Sequence, residues 1–323
     1  MIKKVYLYIG LTLFSINLVN GNLFSLYSYI RQRVDISTIS PERFNICDTL
    51  QNKLEDYTYN FNSNISVSIL DESGDFIVDI NGKLPRIPAS NQKILSSAFS
   101  LDILGPYYTL NTSLKELNDG SLYIKASGDP DFDSPHLEEL INNLTNTNYN
   151  PSFKIPIIIK ESNKEKWWPS SWSYADRKEQ YGAPITKYSI ASNSSFNSLN
   201  NPIDNFISEL ETALRKKNLS NKYFVKVVNE NHTIDYTSTI KTIHSAPLYI
   251  LLNLVNSESH NFTAEVIFRN SINDWSHNFP NIKYSNWIKD QNFNSENFIF
   301  ADASGLSRKN RVTTYGLSQF LRR

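Results

Sequence analysis

Arg86-Ile-Pro-Ala-Ser-Asn-Gln-Lys-Ile-Leu-Ser-Ser-Ala-Phe-Ser-Leu-Asp-Ile-Leu-Gly-Pro106 is the stretch on which the reading of this chain turns. Pro88-Ala89-Ser90 opens a helix whose apolar residues, Ile94, Leu95, Ala98, Phe99, Ile103 and Leu104, recur at helical spacing. Gly105-Pro106 ends it. Just upstream, Ser66–Leu70, the turn Asp71–Asp75 and Phe76–Ile80 read as a β-hairpin, so Ser90 stands at a sheet–helix junction.

A serine hydroxyl is a poor nucleophile at neutral pH without a base in hydrogen-bond reach. Ser90 and Lys93 are three apart in a first helical turn and so share a face. Burial and the positive end of the helix dipole both disfavour an ammonium there. A neutral amine in that place accepts the serine proton, and the Ser90 backbone N–H can serve an oxyanion. Spacing alone is weak, because Ser238-Thr-Ile-Lys241 shares it and a helix cap beside a surface lysine explains it equally. The apolar helix behind Ser90 separates the two.

Ser259-His260-Asn261 is a second candidate, lying between the helical runs Leu248–Val255 and Phe262–Phe268. A serine and an asparagine two apart on a connecting turn can relay a proton and bind a peptide carbonyl. Ser195–Asn197, Ser271–Asn273 and Ser276–Asn278 repeat the spacing, and in an Asn-rich chain a turn or cap explains all of them.

Working outward, Leu122–Lys125 and Ile155–Ile159 read as strands with a helix over Leu137–Leu144 between them. A Trp-rich loop (Trp167–Trp172) and Tyr181-Gly-Ala-Pro184 follow. Residues 186–240 mix short strands with a helix near Ile207–Leu214. The chain is helical again from Ser245 and over Thr313–Arg323, and an earlier helix opens at Pro41-Glu42.

The 323 residues, 40% of them hydrophobic, suit one large domain or two unequal ones. Lys+Arg 32 against Asp+Glu 32 leaves no electrostatic case for nucleic acid. Cys47 is the single cysteine, which excludes an intramolecular disulfide and reads as a small buried hydrophobe. The five histidines form no H-x-x-x-H pair, so neither a catalytic metal nor another cofactor is implied. Lys3-Lys4 ahead of the apolar run Val5–Val19 describes a secretory signal or N-terminal anchor over 1–21, and hence export to the periplasm or cell envelope.

Taken in order, these segments resemble the class C low-molecular-mass penicillin-binding proteins, the D-alanyl-D-alanine carboxypeptidase/endopeptidase family of penicillin-recognising serine hydrolases. Arg86–Lys93 with Leu101–Pro106 is similar to the family's serine-lysine segment, and Leu122–Pro130 to its Gly-Asp-Pro strand and turn. Trp172 through Pro184 is similar to its Tyr-Gly-Ala-Pro segment. Ser245-Ala-Pro-Leu248 with Ser259–Glu265 resembles its Ser-x-Asn helices, and Asp302–Arg308 its Asp-Gly-Ser-Gly-Leu-Ser-Arg motif. That order singles out Ser259 and Asn261 from the decoys.

The resemblance implies an α+β fold, a penicillin-binding transpeptidase/β-lactamase-like domain (41–106 and 241–323) with an inserted domain (107–240). It implies Ser90 as acylated nucleophile, Lys93 as base, and Ser259 and Asn261 lining the cleft, with Asp302 and Arg308 structural or cleft-shaping. Peptidoglycan stem peptides are the implied substrates and β-lactams the implied inhibitors. The family also carries a Lys-Thr-Gly strand that forms the cleft's third wall. No Lys-Thr-Gly, Lys-Ser-Gly or His-Thr-Gly occurs here, so the domain reads as truncated at its C-terminus, weakly active at best and poorly stable. Three alternatives stay open: an inactive homologue that binds peptidoglycan, a β-lactamase-like hydrolase with Glu138 and Asn142 as its only echo, and a wall-associated structural protein.

Overall fold

A computed structural model describes residues 43–146, 154–276 and 282–323. The expected signal or anchor over 1–21 and the opening of the first helix at Pro41-Glu42 lie outside the described residues. The chain divides into two compact units, each described here by itself.

The first unit takes the described residues up to Pro88 together with Ser285–Ile299 and Lys309–Arg323. Its helix α1 (Arg43–Thr58) packs on β2 (Phe76–Ile80), which pairs antiparallel with β1 (Val67–Leu70). The hairpin forms where expected because Asp71 folds its turn, its Oδ1 accepting from the backbone N–H groups of Ser73 (2.8 Å) and Asp75 (3.0 Å). Cys47, expected to be buried, is half-buried on α1. The C-terminal helix (Thr314–Arg322) packs on β1, with Ser318 Oγ donating to the Ser68 carbonyl at 3.1 Å.

The second unit takes Ala89–Tyr284 and Phe300–Arg308. It opens with α2 (Gln92–Leu104), followed by β3 (Thr109–Leu117), β4 (Leu122–Lys125), α3 (Ser134–Leu140) and β5 (Ile155–Glu161). Next come α4 (Pro202–Lys216), β6 (Tyr223–Asn229), β7 (Tyr236–Pro247), α5 (Leu248–Ser257) and α6 (Asn261–Ile272). The five strands form one mixed sheet, order β6-β5-β4-β3-β7, in which β5 runs parallel to both β4 and β6. One sheet face buries Leu114, Ile124, Ile157 and Ile159 against Leu137 of α3 and Phe206 and Leu210 of α4. Burial of apolar surface, at about 25 cal/mol per Å², makes this face a source of the unit's stability. Helix α2 packs separately on α5 and α6, where the Phe99 and Phe268 rings meet at 5.5 Å.

Two strands depart from the sequence reading. β3 was not anticipated, and β7 runs to Pro247, through a stretch expected to turn helical at Ser245. Of β7's residues only Ile243 is buried, so the alternation that betrays a strand is missing. Ser238 and Lys241 lie in this strand, where successive side chains alternate faces, so the decoy pair has no helical turn to share. Among the described residues no helix is long and apolar enough to cross a membrane.

Candidate active site

Ser90 sits in the 3₁₀ turn Ala89–Asn91 that leads straight into α2, and Lys93 lies in that helix's first turn. Ser90 is exposed, whereas Lys93 is only 1% exposed. Lys93 Nζ donates to Asn261 Oδ1 at 2.6 Å and to the Ser304 carbonyl at 2.7 Å, and lies 3.5 Å from Ser90 Oγ. Three donors thus meet three acceptors, one of them the Ser90 hydroxyl. Burial pushes the lysine's pKa down from 10.5 to about 8, and the carboxylates of Asp302 and Glu265 pull the other way. Such a lysine is a competent base close to neutral pH.

Ser259 and Asn261 come to the same place from the turn between α5 and α6. Ser259 Oγ lies 2.7 Å from Ser90 Oγ, close enough to take or give the nucleophile's proton. Asn261 is the first residue of α6; its Oδ1 accepts from Lys93 while its Nδ2 donates to the Tyr181 carbonyl at 2.9 Å. The amide therefore ties the base to the Tyr181–Pro184 segment, and the two bonds fix which way it points. Two backbone positions beside the chemistry are strained: Ala89 at φ +47 and Ser259 at φ +57. Left-handed conformations at non-glycine residues cost on the order of 1 kcal/mol or more each, and they persist only where the surroundings enforce them.

The loop 302–307 bears on the first of these, Ala89. Buried Asp302 accepts from Trp172 Nε1 (2.7 Å), Gly305 N (2.8 Å) and Ser307 N (2.6 Å), so one side chain shapes the loop. Gly305, at φ +84, approaches so closely that a Cβ there would stand 1.8 Å from the Ala89 carbonyl oxygen. The loop is therefore seated on the turn that carries Ser90, with the Ser304 carbonyl facing the lysine. Arg308 extends beyond it, 74% exposed, its Nη1 at 3.5 Å from Asp176 Oδ2.

Ser90, Lys93, Ser259 and Asn261 thus converge within one compact unit, as the sequence reading placed them. Glu138 instead pairs with Lys216 at 2.5 Å between α3 and α4. Unforeseen were the Ser304 carbonyl as a partner of the base, Gly305 as the contact with the nucleophile's turn, and Glu265 beneath the loop. All three lie inside motifs quoted above, Glu265 in Ser259–Glu265 and Ser304 and Gly305 in Asp302–Arg308, but no motif says which of its residues makes which contact. A backbone carbonyl has no signature in a sequence.

The model of a family described as the D-Ala-D-Ala carboxypeptidase 3 (S13) family matches residues 49–205 and 196–323. The crystal structure of penicillin binding protein 4 (dacB) from Haemophilus influenzae aligns with TM-score 0.62 at 19% identity, over 76% of this chain and 71% of that one. The same protein complexed with a β-lactam aligns with TM-score 0.55 at 19% identity, over 74% and 69%. At that identity the likeness speaks to the fold. No curated protein matches in sequence.

Proposed function

The chain belongs to the D-Ala-D-Ala carboxypeptidase 3 (S13) family, and from that premise we propose that Ser90 is its acylated nucleophile and Lys93 the base. The family is one of low-molecular-mass penicillin-binding proteins, and the function is that of a serine-type D-Ala-D-Ala carboxypeptidase/endopeptidase. One observation carries the assignment: a buried lysine whose amine touches an exposed serine hydroxyl, which in turn touches a second serine.

The reaction follows from these contacts. The neutral amine of Lys93 takes the proton of Ser90 Oγ as that oxygen attacks the carbonyl of the penultimate D-alanine of a stem peptide. The Ser90 backbone N–H stabilises the oxyanion. Ser259 Oγ, in contact with Ser90 Oγ, passes its proton to the departing amine and takes one in return from the Lys93 ammonium, so D-alanine leaves and the Lys93 amine is neutral again. Water then hydrolyses the ester, with Lys93 again the base. Asn261 holds Lys93 and presents its amide to the substrate's peptide. The complex of the Haemophilus influenzae protein with a β-lactam supports β-lactams as acylating inhibitors of this chain too. Residues 107–240 serve as the inserted domain, since four of the sheet's strands lie wholly within them.

The pH dependence has a definite sign. Lys93 must be neutral to act, so acylation is slow below its pKa of about 8 and levels off above it. The test is to digest the chain after reaction with labelled penicillin, locate the label by mass, and measure D-alanine release across pH. Label on any serine other than Ser90, or a rate independent of pH between 6 and 9, would sink the assignment.

Export to the periplasm or envelope accompanies this function, on the strength of Lys3-Lys4 and the apolar run Val5–Val19. Cell fractionation with sequencing of the mature N-terminus checks it. Cytoplasmic protein that still begins at Met1 would contradict it.

A further inference from the structure

Glu265, which the mechanism above does not use, is only 1% exposed on α6, one turn beyond Asn261. Its Oε1 accepts from the backbone N–H of Ala303 at 2.9 Å and of Ser304 at 2.8 Å. Ser304 is the residue whose carbonyl holds Lys93 Nζ at 2.7 Å. A single carboxylate oxygen therefore anchors, through its backbone N–H, the residue whose carbonyl cradles the lysine. The other oxygen, Oε2, has no hydrogen-bond partner among the described residues. Burying a carboxylate is costly, and an amide side chain offers the same acceptor to the two N–H groups without that cost. Tethering the loop thus accounts for the position of Glu265 but not for its charge.

We propose that Glu265 is a positioning residue for Lys93, both seating the Ser304 carbonyl against the amine and setting the lysine's proton affinity through its negative charge. The inference rests on the reading of Lys93 as base. The other charged groups around this contact are Asp302 on the loop, Arg269 one turn along α6, and His260 ahead of that helix. Asp302 acts on Lys93 in the same direction as Glu265, and Arg269 favours the charged form of Glu265. Burial, and after it the negative charge of Asp302, hold the Glu265 carboxyl up at about 7, so its charge, and its hold on Lys93, grows as pH rises through neutrality.

The sign of the effect follows. A negative charge near an amine stabilises the ammonium, so removing that charge lets Lys93 lose its proton at lower pH.

The experiment compares wild type, Glu265→Gln and Glu265→Asp by two measurements. One is the pH profile of penicillin acylation; the other is titration of Lys93 followed by ¹³C NMR of ε-labelled lysine. Glu265→Gln keeps an oxygen for both N–H groups and loses the charge, and its acid limb and Lys93 titration should move down by about half a pH unit or more. Glu265→Asp keeps the charge but withdraws the oxygen, so its acid limb should stay in place while its plateau rate falls about tenfold or more. The aspartate variant decides the matter even where the glutamine variant fails to fold. A Lys93 titration unmoved in Glu265→Gln, or a wild-type plateau in Glu265→Asp, overturns the proposal. Wild type that takes no penicillin overturns the catalytic reading of Lys93 instead, and the NMR titration still decides what Glu265 does to the lysine.

Discussion

Ser90→Ala is expected to abolish covalent labelling by penicillin, and Lys93→Ala to slow acylation by about 10³–10⁴-fold. The first follows because no other described Ser-x-x-Lys pair opens a helix; Ser238 and Lys241 are in a strand. The second follows because the serine's base is its one amine contact, at 3.5 Å, and nucleophile and base act as a unit. Lys93→Ala also leaves Asn261 Oδ1 and the Ser304 carbonyl without their donor, at about 1–3 kcal/mol for each buried acceptor. Relief from burying a charge offsets part of that, so the variant should remain folded. Stopped-flow acylation alongside thermal unfolding distinguishes lost chemistry from lost structure. Label persisting in Ser90→Ala, or wild-type acylation by a folded Lys93→Ala, would refute the assignment.

Gly305→Ala should damage stability and acylation together, although residue 305 contributes no functional group. A Cβ there would sit 1.8 Å from the Ala89 carbonyl oxygen, and backbone atoms cannot step aside as a flexible side chain does. The φ of +84 adds the strain that any L side chain feels in that region. Overpacking of about 1–3 kcal/mol and roughly 1 kcal/mol of backbone strain together lower the melting temperature by on the order of 5–15 °C. The loop must lift from Ala89, carrying Ser304 away from Lys93, so acylation should fall about tenfold or more in the molecules that remain folded. Calorimetry and acylation kinetics on the purified variant provide the measurement. An unchanged melting temperature would show that the loop does not bear on the nucleophile's turn.

The elements that announced themselves in the sequence are those whose signals are local. The hairpin at 66–80 carries its turn residues between its strands, and α2 carries six apolar residues in register with a terminal Gly-Pro. Ser90 and Lys93 were legible because their relation is a single helical turn. Ser259 and Asn261 were legible only through the order of motifs around them, since the short pattern recurs elsewhere in the chain. β3 and β7 escaped because, with Thr, Ser and Lys among their residues, neither presents a clear apolar alternation, although β3 is largely buried. The strained turns at Ala89 and Ser259 escaped for another reason. Neither residue type advertises a positive φ, and at Ala89 a close neighbour, Gly305, is remote in the chain.

That remoteness governs when the catalytic apparatus comes into being. Ser90 and Ser259 meet across 169 positions, and Lys93 meets the Ser304 carbonyl across 211. Contacts of such separation carry a large loop-closure entropy and form late. A nascent polypeptide elongated only as far as residue 303 already holds nucleophile, base and relay, yet lacks the carbonyl that seats the amine and the glycine that rests on Ala89. Catalytic competence therefore arrives with one of the later-synthesised loops. A peptidase wired in this way stays inert on the ribosome and gains its cutting power only after it has folded.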